Sequence, residues 1–142
     1  MSIRYASAVW EGDLKSGHGS MEFGSGAFEG TYSFSSRFEE GPGTNPEELI
    51  GAAHAGCFSM ALSAELTKSG FPPNRIQTKA TVTLGKVDNK SRITNIHLDT
   101  SGEVPQINEQ KFLEIAEGAK NGCPVSAALI GVKITLQATL IN

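Results

Sequence analysis

The stretch "NPEELIGAAHAGCFSMALSAELTKSG", residues 45–70, decides the fold. Asn45 is placed to cap a helix, Pro46 suits its first position, and Glu48 stands three residues after the cap. The pattern then runs to about Ser69 and closes at Gly70, with Pro72 and Pro73 beyond. Inside this predicted helix Gly51, Ala52, Ala53, Ala55 and Gly56 gather around Cys57. Glycines cost a helix ~1 kcal/mol each, so packing should compensate. Small residues around the circumference let other backbones approach closely. The expectation is a central helix buried on most sides, against its own sheet and a second chain, with Cys57 buried too.

The elements on either side read as strands and shorter helices. "IRYASAVW" (3–10), "GSMEF" (19–23) and "TYSFSSRF" (31–38) read as three strands, and Arg37 falls at the end of the third. Beyond the long helix, "IQTKATVTLGKV" (76–87) and "SRITNIHLDTSG" (91–102) are two strands joined by a hairpin turn. "INEQKFLEIAEGAKNG" (107–122) is a second helix with Phe112, Leu113, Ile115 and Ala116 on one side. Cys123 and Pro124 open a shorter helix, and "VKITLQATLI" (132–141) is a closing strand. The order βββ-α-ββ-αα-β predicts an α+β fold, mostly antiparallel sheets around a long central helix, as one domain over residues 1–142.

Composition narrows the function. The chain has 142 residues, 39% hydrophobic and 19% charged, with a net charge of −3. That mild acidity argues against nucleic acid, whose phosphates ask for a basic patch. No apolar run is read as a membrane span and the first residues lack an apolar leader core, so a cytoplasmic protein without membrane contact is expected. Thiols are kept reduced there.

The two cysteines remain open on residue type alone. Cys57 could simply fill space. Cys123, at a helix entrance, would feel the positive end of the dipole, which lowers a thiol's pKa. His54, Cys57 and Cys123 with His18 or His97 could form a zinc site, although no CxxC or HxxxH spacing supports it. Arg37 alone reads as a solvated charge, and Glu47 as a carboxylate favouring the first helical turn.

The stretches "TNPEELIGAAHAGCFSMAL" (44–62) and "NGCPVS" (121–126), with "VWEGDLKSGHGS" (9–20) upstream, resemble the OsmC/Ohr superfamily of thiol peroxidases. "EELIGAAHAGCF" resembles the OsmC branch rather than the organic hydroperoxide resistance (Ohr) branch. The resemblance covers essentially the whole chain. It implies a two-cysteine reductase of organic hydroperoxides in oxidative or osmotic stress defence, with hydrogen peroxide a poorer substrate. The residue matching Cys57 attacks and becomes a sulfenic acid. The residue matching Cys123 condenses with it to a disulfide, which an external dithiol reduces. The family's arginine and glutamate fall on Arg37 and Glu47. The resemblance further implies an intertwined homodimer with its site at the subunit interface, and no metal or other cofactor.

Physical chemistry sets conditions on this scheme. A peroxide is cleaved by a thiolate, and free cysteine, with a pKa of ~8.5, is mostly protonated at neutral pH. Arg37 is the expected cation beside Cys57, aimed by a bidentate pair with Glu47. Glu47 and Cys57, ten residues apart on one helix, are separated by about 15 Å of rise and roughly 80° of rotation. Glu47 is therefore expected to act on the Cys57 of a partner chain. The rival readings are a redox-sensing module using the same cysteines without turnover, and a zinc-stabilised domain.

Overall fold

The computed structural model describes residues 1–142 as an α+β protein of two compact units, Met1–Leu49 and Ile50–Asn142. In the first unit β1 (Ala6–Glu11), β2 (His18–Phe23) and β3 (Glu29–Tyr32) form an antiparallel sheet in the order β1-β2-β3. Its aromatic residues meet in pairs, Trp10 with Tyr32 at 5.2 Å and Phe23 with Phe28 at 5.0 Å. No hydrophobic side chain of this unit is fully enclosed, and Ile3, Tyr5, Val9 and Leu14 are exposed.

The third strand is shorter than the sequence pattern suggests. After Tyr32 the chain turns into a one-turn helix, α1 (Phe34–Phe38), so Arg37 stands on a helix and not at a strand end. The reason is local. Ser33 Oγ accepts from the Ser36 N–H at 3.1 Å, while Ser36 Oγ accepts from the Ser33 N–H at 2.9 Å. This reciprocal capping satisfies two backbone donors at once. Phe34 and Phe38, four residues apart, then stack at 4.9 Å. The strand expected over 31–38 thus ends at Tyr32, and the rest of the segment is a helical i, i+4 pair behind a serine cap.

The long helix α2 (Pro46–Lys68) begins as its sequence dictates: Asn45 Oδ1 accepts the Glu48 N–H at 2.8 Å. In the second unit its His54, Phe58, Leu62 and Leu66 are fully enclosed, one residue per turn along a single stripe. This stripe packs with Ile96, Leu98, Val104 and Phe112 in the core. Ser59 Oγ meets Thr78 Oγ1 at 2.8 Å, and Thr78 meets Thr100 Oγ1 at 2.9 Å, fixing the helix over the sheet. Ala52, Ala53, Gly56, Met60 and Ala64 lie exposed on the rest of the helix. Burial on most sides is thus not met within the chain. By length and composition alone α2 is apolar enough to cross a bilayer, with a mean hydropathy of 1.3 over 18 residues. Its buried stripe is nevertheless that of a core helix.

The second sheet has the order β4-β5-β6, from β4 (Arg75–Val87), β5 (Lys90–Glu103) and β6 (Lys133–Leu140). Asp88 (φ 51°) and Asn89 (φ 67°) close the β4–β5 hairpin with two left-handed residues, as a two-residue type I′ turn requires. β5 and β6 are parallel, so a crossover must connect them. The crossover consists of α3 (Glu109–Gly122) and α4 (Pro124–Ala128). On α3 Phe112, Ala116 and Ala119 face the core, while Leu113, expected on that side, is exposed. Replacing Leu62 by Ala removes a fully enclosed side chain from the α2 stripe. Denaturant unfolding of Leu62→Ala should show a loss of about 2–5 kcal/mol; a loss below 1 kcal/mol would contradict this packing.

Candidate active site

Pro124 creates the position of Cys123. Proline cannot continue α3, and it drives the preceding residue out of helical geometry. Cys123 accordingly has φ −64° and ψ 127°, ending α3 and capping α4. Its side chain is fully enclosed, and Cys57 on α2 is half-buried. Both are free thiols, with Sγ atoms 2.9 Å apart across 66 residues of sequence. The fold therefore brings together the two residues that sequence reasoning had singled out. Cys57 is more open than expected.

The two sulfurs have opposite acidities. Burial pushes Cys57 up, and its hydrogen bond with Cys123 and the negative charge there push the same way; only the Val125 N–H opposes them. No cation figures among these influences. Burial also pushes Cys123 up, but that is outweighed by hydrogen bonds from Cys57, from the Ser126 N–H and hydroxyl, and from the Val125 N–H. Cys123 thus ionises below the ordinary thiol range. Either thiol can donate in the fully reduced pair; once one proton is lost, Cys57 keeps the other.

Ser126 is a residue that sequence reasoning missed. It follows the Cys123 cap by three residues and is buried on α4. That spacing was the available signal. Its Oγ also meets His54 Nε2 at 2.8 Å. His54 is fully enclosed, burial lowers its pKa, and its Nδ1 has no partner. No three His, Cys, Asp or Glu residues gather closely enough to hold a metal. Phe58 lies fully enclosed in the core, whereas Met60 is exposed.

In the first unit Arg37 and Glu47 pair as anticipated, although the geometry differs. Arg37 Nη2 and Nε donate at 2.8 and 3.2 Å to the same oxygen, Glu47 Oε1, rather than one to each oxygen. Glu47 is buried and Arg37 is partly exposed, with its guanidinium 5.3 Å from the Phe38 ring centre. Ser36 Oγ donates to the Thr44 carbonyl at 2.8 Å, and Asn45 Nδ2 donates to the Ser36 carbonyl at 3.1 Å. These bonds bring the start of α2 back to α1, so that residues ten apart can pair.

Residues 39–137 match the family described as OsmC-like protein. The chain belongs to that family. Among similar proteins is the Escherichia coli (strain K12) protein called peroxiredoxin OsmC, 51% identical over 134 residues, covering 94% of this chain and 93% of the relative. Organic hydroperoxide resistance protein-like 2 of Staphylococcus epidermidis is 28% identical over 100 residues, 70% of each chain. The OsmC/Ohr fold recurs in solved structures. An OsmC-like protein from Mycoplasma pneumoniae superposes with a TM-score of 0.76 at 17% identity, covering 99% of both chains. An organic hydroperoxide resistance protein OsmC from Legionella pneumophila does so with 0.71 at 21%, covering 98% of this chain and 99% of that one.

The thiol pair should titrate in two separated steps, the first below and the second above the ordinary cysteine value. Thiolate absorbance near 240 nm, followed in wild type, Cys57→Ser and Cys123→Ser, checks this. Two thiols that ionise together at the ordinary value would contradict the opposed environments.

Proposed function

We propose that this chain is a cysteine-based peroxidase that reduces organic hydroperoxides with Cys57 as the attacking residue and Cys123 as the resolving one. The unequal exposure of two adjacent sulfurs carries the reading. A peroxide can approach the half-buried Cys57, while the enclosed Cys123 faces only its partner thiol and its own helix entrance. The 51% identity to a protein named peroxiredoxin OsmC supports the same chemistry.

The cycle balances in three steps. The Cys57 thiolate attacks one peroxide oxygen, the O–O bond breaks, and the alkoxide takes a proton to leave as an alcohol. The sulfur, oxidised by two electrons, becomes a sulfenic acid. The Cys123 thiolate then attacks that sulfur and expels hydroxide, which is protonated to water, leaving a Cys57–Cys123 disulfide. An external dithiol returns both thiols by exchange. The cytoplasm, where thiol reductants are abundant, is the compartment we assign. No metal or prosthetic group is required by these steps.

Cys57 by itself is a poor thiolate, because burial and its neighbour hold the proton on it. We assign Arg37 as the cation that reverses this, oriented by Glu47. Glu47 and Cys57 stand ten residues apart on the continuous helix α2, about 15 Å of rise, so we assign the guanidinium to a second copy. Two surfaces support a homodimer with its sites at the interface: the exposed small-residue side of α2 and the open apolar residues of the first unit. In that assembly the two units of each chain serve one peroxidase domain. A seam lined by Met60 and small side chains favours alkyl or aryl hydroperoxides over polar hydrogen peroxide.

Cumene hydroperoxide consumption with excess dithiothreitol tests the proposal. Wild type should turn over repeatedly, Cys57→Ser should not, and Arg37→Ala should fall by about a hundredfold or more in kcat/KM. Oxidation that stops after one equivalent per chain, with excess dithiol present, would instead identify a redox sensor and overturn the enzymatic reading.

A further inference from the structure

The helix α4, which Cys123 caps, is too short to hold itself. A helix of five residues does not persist alone, so its place depends on what it packs against. Pro124, Ala127 and Ala128 are exposed and Val125 is half-buried, which leaves Ser126 as the one buried side chain of α4. Its hydroxyl meets His54 Nε2 on α2 at 2.8 Å. Just ahead of α4, Cys123 touches Cys57 on that same long helix. These are the two hydrogen bonds between side chains that join α2 to residues 123–128.

The two contacts lie side by side. His54 and Cys57, three residues apart, are neighbours on α2, about 4.5 Å apart along its axis. Cys123 and Ser126 are also three residues apart. His54 bonds to the later of these and Cys57 to the earlier, so the two segments pass one another in opposite directions. A histidine at position 54 is otherwise hard to account for. It is completely enclosed, and its Nδ1 reaches no partner. A leucine would fill the stripe of α2 without burying an unpaired ring nitrogen. What leucine cannot do is bond to Ser126.

We propose that the His54–Ser126 hydrogen bond is a clasp that seats α4 on α2 and so keeps Cys123 Sγ against Cys57 Sγ, His54 and Ser126 being positioning residues for the disulfide. The clasp acts by restricting motion: it passes no proton and requires no contact with either sulfur. A bond between two groups forms more readily when less freedom is lost in making it. Ordering α4 in the reduced chain therefore raises the effective concentration of one sulfur at the other. Breaking the clasp lowers the share of disulfide at equilibrium. The use of that disulfide in turnover rests on the peroxidase reading above.

Equilibration in glutathione buffers tests the clasp without peroxide. Glutathione disulfide takes two electrons and two protons from the protein thiols, giving the Cys57–Cys123 disulfide and two glutathione molecules. Acid quenching and intact mass give the equilibrium constant of this exchange. Ser126→Ala removes the hydroxyl with little change in volume and should lower the constant about fivefold. Ser126→Thr restores a hydroxyl and should return most of it. His54→Leu keeps the stripe filled and should fall as far as Ser126→Ala, and the double variant no further, because both residues act through one bond. Leu62→Ala weakens the same core away from α4 and should leave the constant at the wild-type value. If His54→Leu does not fold, the fall in Ser126→Ala and its return in Ser126→Thr decide alone. A wild-type constant in Ser126→Ala overturns the inference, even in an active peroxidase. So do falls that add in the double variant, or an equal fall in Leu62→Ala. The expected pattern in a protein that never consumes cumene hydroperoxide upholds the clasp and overturns the peroxidase reading alone.

Discussion

Two sulfur atoms 2.9 Å apart, one on the long helix and one at a break between two others, are the contact around which the chemistry is arranged. Each is positioned by backbone geometry rather than by a flexible loop. Cys57 is fixed because the stripe of His54, Phe58, Leu62 and Leu66 locks α2 into the core. Cys123 is fixed because Pro124 ends α3 where the crossover between parallel strands must turn toward β6. Rigid placement of this kind reduces the entropy lost when the two sulfurs react.

The environment makes the two thiols unequal without any charged side chain beside them. Cys123 gains donors from its own helix entrance and from Ser126, whereas Cys57 is held protonated by burial and by its neighbour. Exposure runs the other way, since the more acidic sulfur is the enclosed one. The cycle we propose uses this opposition as a division of labour. In that proposal the accessible sulfur meets the oxidant, and the acidic one completes the bond. The Arg37–Glu47 pair of the first unit provides a directed cation for the accessible sulfur in the assembly we infer.

Much of this was legible in the residues. The Asn45–Pro46–Glu48 start fixed the beginning of α2, the glycine at 70 its end, and Pro124 the place of Cys123. Arg37 was harder. Its segment alternates as a strand would, and only the reciprocal bonds of Ser33 and Ser36 turn it into a helix. A Ser-x-x-Ser cap is weaker as a sequence signal than Ser-x-x-Glu, and it competes with a genuine strand just before it. The parallel β5–β6 pairing was hidden because strand direction depends on the crossover, not on the β-branched pattern itself. The small-residue side of α2 stays exposed within one chain, because small residues announce close packing but not which chain does the packing. The His54–Ser126 bond joins residues 72 apart and carries no periodic signature.

The most direct measurement of the central claim is a peptide map under non-reducing conditions after one equivalent of cumene hydroperoxide. The fully reduced wild-type protein should yield a single new linkage, Cys57 to Cys123 within one chain, with the loss of two hydrogens in its intact mass. Cross-links between chains, or Cys57 carried on to sulfinic acid while Cys123 stays a free thiol, would contradict an account built on two paired sulfurs.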